Sequence, residues 1–188
     1  MMLSRDGRGY RKPPPGAQVN WGHPLARGLV GCWLFNEGSG PIVHHVAHNL
    51  HGTNAGAPWA VRPGGLGVNF AGTTGRDISV PSHALLNVTT TLSLVLRVYL
   101  IDNITNQKLV TKGDGAYEFD LASSGVLRFN RDEQAVVLQG AVAVPTSRSA
   151  PTQVAVTVRP SLNAFYVNGR LTDSNTTAPS LSATTRVF

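Results

Sequence analysis

The residues able to do chemistry are few, and the sharpest pair is Glu118-Phe119-Asp120. At the period of a strand, residues two apart share a face. Two carboxylates held that way are the raw material of glycoside hydrolysis, where one attacks or stabilises and the other shuttles a proton. Solvent-facing polar positions opposite Tyr117, Phe119 and Leu121 account for the same pattern without chemistry. A second group, His44, His45, His48 and His51, contains an i, i+4 pair. That spacing converges on a metal only on a helix, and this stretch is rich in loop residues, so turn-stabilising or exposed histidines are expected and no metal site. Cys32 lies in an apolar run with no second cysteine to pair with, and reads as a small core residue. No Gly-x-Ser-x-Gly elbow is present, and Gly64-Gly65-Leu66-Gly67 lacks the Lys-Ser/Thr of a phosphate loop. No catalytic residue is therefore assigned.

The elements that would position these residues are strands. The chain has 188 residues, 20 Gly, 12 Pro and 14% charged residues, the profile of one loop-rich β domain. Leu92 to Leu100 alternates, with Leu92, Leu94, Leu96, Val98 and Leu100 on one face. Lys108 to Lys112, Tyr117 to Leu121, Val126 to Asn130, Ala135 to Leu138 and Val154 to Val158 follow at regular spacing. Asn163 to Val167 and Arg170 to Thr172 flank Asn168-Gly169, a pair that tolerates the positive φ of a type I′ hairpin turn. Leu29 to Phe35, with Trp33, predicts a buried strand. Pro41 to Gly67 predicts irregular loop with one brief strand at Gly52 to Asn54, and Val68 to Phe70 and Ile78 to Val80 predict further short strands. Almost no helix and no fixed-period repeat are expected.

Residues 1–27 predict an extended arm, because Gly7, Gly9, the Pro13-Pro14-Pro15 run and Pro24 disfavour helix. Arg5, Arg8, Arg11, Lys12 and Arg27 crowd this arm against a single Asp6, while later basic residues are scattered. The net charge of +6 is therefore not the basic stripe of a nucleic-acid reader. It suits docking on an acidic partner, with Arg5, Arg8, Arg11, Lys12 and Trp21 as the anchoring set. No apolar signal core and no run of about 18 apolar residues is present, so neither a secretion signal nor a membrane span is expected. Asn87, Asn103 and Asn175 head glycosylation sequons, which carry little meaning without a secretion signal.

Four stretches in order carry a resemblance. They are Gly28-Leu29-Val30-Gly31-Cys32-Trp33-Leu34-Phe35-Asn36-Glu37-Gly38-Ser39-Gly40, Asn49-Leu50-His51-Gly52-Thr53, Leu109-Val110-Thr111-Lys112-Gly113, and Val154-Ala155-Val156-Thr157 with Phe165-Tyr166-Val167-Asn168-Gly169. Together they resemble the laminin-G-like (concanavalin A-like lectin/glucanase) jelly-roll superfamily over residues 28–188. The resemblance implies an all-β, two-sheet antiparallel jelly-roll sandwich behind an extended N-terminal arm. His44-His45-Val46-Ala47-His48 stands where members often carry an Asp, so calcium has no support there, and no cofactor is expected. The glucanases of this superfamily carry Glu-x-Asp-x-x-Glu, and here Ser123 occupies the third carboxylate's place. The chain ends at Phe188, where members continue through a further strand, so the last strand is expected to be missing or supplied by a partner.

The stretch from Lys12 to Gly28 also looks like the leaders of jelly-roll proteins from tailed bacteriophages. On that footing the expected role is a non-enzymatic virion protein. It would decorate or cement a capsid, or serve as a tail adhesin, in multiple copies, assembled in the host cytoplasm with capsid or tail proteins as partners. The alternative is a carbohydrate-binding module, extracellular if not virion-borne, that holds a cell-surface glycan through Trp59, Trp21 and Asp77. A glycoside hydrolase relative ranks below both.

Overall fold

The computed structural model describes residues 12–72, 75–102, 106–113, 116–131 and 135–176, and Arg5, Arg8, Arg11 and Asn103 lie outside them. The chain packs as two compact units, residues 1–86 and 87–188.

Among the described residues, the second unit is a sandwich of two four-stranded antiparallel sheets. One runs β10 (Ala135–Ala143), β9 (Val126–Arg131), β8 (Tyr117–Leu121), β7 (Gln107–Lys112). The other runs β13 (Arg170–Asn175), β12 (Leu162–Val167), β11 (Thr152–Arg159), β6 (Leu92–Val98). Period-two alternation points Tyr117, Phe119 and Leu121 of β8, and Leu127 and Phe129 of β9, at Val154, Val156 and Val158 of β11 and Phe165 of β12. Phe119 and Phe165 are fully buried and stack across the sheets with centroids 6.0 Å apart. Burying each phenyl ring is worth roughly 1.5–3 kcal/mol, and that apolar layer fixes which face of each strand is left for polar work. The Asn168-Gly169 hairpin forms as its residues dictate, with φ of 50° and 78°, and Asn168 Oδ1 accepts the Gln153 amide at 2.9 Å.

The first unit is irregular. Its strands are β1 (Ile42–Val43), β2 (Gly52–Asn54), β3 (Trp59–Arg62), β4 (Gly65–Val68) and β5 (Ile78–Ser79), paired as a sheet β1-β2-β5 and a hairpin β3-β4. Pro41 to Gly67 thus holds three more strands than the one expected. The β3-β4 hairpin turns at Pro63-Gly64 into Gly65, whose φ of 110° only glycine adopts readily. Gly52 is fixed by close approach, since a Cβ there would meet Ile78 Cγ2 at 2.9 Å. The expected buried strand at Leu29 to Phe35 is instead an extended, half-buried segment with one bridge, Trp33 to His45. Its Trp33 packs against His45, and Phe35, with φ of 52°, departs from strand backbone. Among the described residues, helix is limited to the single 3-10 turns Pro24–Ala26 and Ala84–Leu86.

The described part of the expected arm is neither straight nor apart. Ala17 N–H donates to Pro14 O at 3.1 Å, and buried Asn36 donates through Nδ2 to Pro13 O at 2.8 Å. Lys12 Nζ donates to three carbonyls, Leu34 O at 2.7 Å, Phe35 O at 3.3 Å and Leu66 O at 2.5 Å. An ammonium group has three donors and no acceptor, so a cradle of carbonyl oxygens answers it fully.

Candidate functional site

The first unit carries an open depression of about 610 Å³. One wall is the turn Pro15–Val19 with Trp21, and the other is the histidine loop from His44 to His51, with Asn36 and Glu37 between them. The loop is held by its own histidines. Buried His45 accepts the Cys32 amide at Nε2, 3.0 Å away, and its Nδ1 lies against the backbone of His48, both N–H and carbonyl. Burial holds the His45 pKa below the ordinary histidine value, outweighing the Val30 and His48 backbone groups that favour the charged ring. Trp33 packs edge-on against His45 at 4.6 Å and donates Nε1–H to Leu50 O at 3.0 Å. His45 N–H donates to His51 Nδ1 at 3.1 Å, and His44 meets His51 edge-on at 5.1 Å. His45 and His51 therefore stabilise the loop, while His44 is exposed. Among the described residues no group of three or more His, Cys, Asp or Glu side chains is placed to hold a metal ion.

What remains open is the floor and rim. Trp21 is 53% exposed, with its ring 5.4 Å from that of His48. Glu37 Oε1 accepts the His44 amide at 2.7 Å, while Oε2 is buried with no hydrogen-bond partner. Gln18 and Asn49 add amide groups to the lining. An exposed indole beside amides and a carboxylate can stack on an apolar sugar face while exchanging hydrogen bonds with hydroxyl groups.

The second polar constellation lies on the sheet of the second unit. Glu118 and Asp120 share the face of β8 opposite the core, as their spacing requires, but Asp120 is 1% exposed, not solvent-facing. Strand register sets Arg128 opposite Asp120 and Asn130 opposite Glu118. Arg128 clasps Asp120 through Nε at 2.9 Å and a terminal nitrogen at 2.7 Å, and Asn130 Nδ2 adds a third donor at 3.2 Å. Asp120 in turn is what chiefly holds the Arg128 pKa above its usual value. Lys108 pairs with Glu118 at 3.1 Å. Burial first, then the Asp120 carboxyl group, pushes the Glu118 pKa above the usual carboxylate value despite Lys108. Ser123 sits in the turn closed by Gly125 N–H to Ala122 O, beyond the end of β8, so the third position of the glucanase pattern has left the strand face.

Trp21 lies at the depression. Trp59, on β3, does not line it and instead donates Nε1–H to Gly40 O at 3.0 Å. Exposed Asp77 is tied to the local backbone, its carbonyl accepting Ala55 N–H at 3.0 Å, and is likewise absent from the lining. The three candidate ligand contacts are thus not brought together. Among the arm residues, Lys12 is engaged by backbone carbonyls and Trp21 by His48. Of the sequons, Asn87 receives a hydrogen bond from Lys112 and Asn175 from Asn163. Sequence reasoning missed Glu37, which it read as part of a turn, and Arg128, whose meeting with Asp120 needs the β8-β9 register.

No helix among the described residues is long and apolar enough to cross a membrane. No curated protein and no solved structure matches the chain. A family model described as the concanavalin A-like lectin/glucanases superfamily matches residues 72–188, which include the whole of the second unit. With that match and an antiparallel two-sheet sandwich over the same stretch, the chain belongs to the concanavalin A-like lectin/glucanases superfamily.

Proposed function

We propose that the protein is a carbohydrate-binding module that holds a saccharide in the depression of its first unit. The observation that carries this reading is Trp21, half in water on the rim of a cleft whose remaining described lining offers Gln18, Glu37 and Asn49 as polar partners. Hydrolysis is not part of the proposal: Asp120 is occupied by Arg128 and Asn130, and the strand face holds no third carboxylate. A glycan array followed by calorimetry on the full chain tests it. Saturable binding that Trp21→Ala weakens about tenfold or more is expected; binding indifferent to Trp21, or none, removes the reading.

A second reading is display on a virion, in several copies, through the basic N-terminal residues. Arg5, Arg8, Arg11, Lys12 and Arg27 against a single Asp6 favour it, since such a charge suits an acidic assembled surface. The informative deletion is residues 1–11, because Lys12 and Trp21 contribute to the first unit itself. Loss of self-association or of particle incorporation in a protein still folded is the expected result, and unchanged assembly eliminates anchoring by that segment.

A further inference from the structure

We propose, building on the saccharide reading of the depression, that it selects sugars bearing a free ammonium group over their acetylated or neutral counterparts. Among the described residues lining the depression, Glu37 carries the only formal charge when the histidines are neutral. That charge is half answered. Oε1 takes the His44 amide at 2.7 Å, and Oε2 is shielded from water without a partner. A carboxylate oxygen removed from water is costly unless a donor replaces the lost hydration. Lys12, the basic side chain bonded beside this segment, directs its ammonium to the carbonyls of Leu34, Phe35 and Leu66. Glu37 lines the depression, and an ammonium group donating to Oε2 would supply the missing partner while Oε1 keeps the His44 amide.

Trp21 supplies the other half of an ammonium site. A cation over an indole face is drawn by the ring quadrupole, and the same face stacks on the sugar ring that carries the amine. One carboxylate in a chain of net charge +6 also means that such selection is local, opposed by the protein's field at longer range. An N-acetyl group removes the charge and adds bulk at the one position where Glu37 rewards a cation.

Calorimetry near neutral pH with a glucosamine tetrasaccharide and its N-acetylated form, on the full chain and on Glu37→Gln, tests this. Glutamine keeps an oxygen for the His44 amide, and circular dichroism checks that the fold is retained. The glucosamine form is expected to bind about tenfold or more tightly than the acetylated one, with that ratio falling close to one in Glu37→Gln. Equal affinity for the two sugars overturns the ammonium selection while leaving the saccharide reading intact. A preference that persists in Glu37→Gln overturns the assignment to Glu37, and binding of neither sugar, with a blank glycan array, removes both.

Discussion

Arg128 and Asp120, facing each other across β8 and β9, form a two-pronged ion pair whose carboxylate is 1% exposed. The polar face of this sheet is thus held by a buried charge that depends on its partner. Removing one member of such a pair leaves the other uncompensated. Asp120→Ala should cost about 3 kcal/mol, the low end for a buried pair because Arg128 remains partly in water. Urea denaturation measures it, and a loss under about 1 kcal/mol would show that the pair is dispensable.

Neutral His45 makes the first unit acid-sensitive. Its pKa is lowered in the folded state, so below the ordinary value of 6.5 the unfolded chain takes up more protons than the folded one. The His45 contribution is complete above that value and is lost as pH falls through it toward the lowered folded value. Melting temperature followed from pH 8 to pH 5 should decline, and His45→Gln should flatten the decline. Glu118 works with the opposite sign. Its raised pKa favours the folded state as pH falls toward and below the ordinary 4.5, so a Glu118→Gln background isolates the histidine.

The hairpin at Asn168-Gly169 gives a test of backbone strain alone. A Cβ on Gly169 would meet nothing within 4 Å, yet its φ is +78°. Gly169→Ala should therefore destabilise by about 1–2 kcal/mol without steric conflict. Asn168→Gly removes the Oδ1 contact to Gln153 but relaxes φ, and is expected to cost less.

Lys12 tests whether the basic leader belongs to the fold. Lys12→Met keeps the aliphatic stem and removes the ammonium from the Leu34, Phe35 and Leu66 carbonyls. A loss of about 1–3 kcal/mol, the cost of orphaned polar groups, is expected in thermal unfolding.

Much of the second unit could be read directly. Tyr117 to Leu121 has the bounds expected of it, and Val154 to Val158 lies within a slightly longer β11, because strict alternation over a two-sided strand is a local property. The first unit resisted such reading. Leu29 to Phe35 is as apolar as a strand, but its backbone pairs at one point and its indole turns to His45 and Leu50. The β3-β4 hairpin hid among glycines that had been read as loop.

By itself the sequence determined the strand-rich class, the sandwich of the second unit, the Asn168-Gly169 turn, and the placement of Glu118 and Asp120 on one strand face. These follow from period-two patterning and turn chemistry, which act over a few neighbouring residues. Only the tertiary structure decided that Arg128 answers Asp120, that Lys12 closes three carbonyls, and that Trp21, Glu37 and His48 border one depression while Trp59 and Asp77 stand elsewhere. Those meetings join residues eight to fifty-four positions apart, and the register and loop paths that bring them together are products of the whole packed unit.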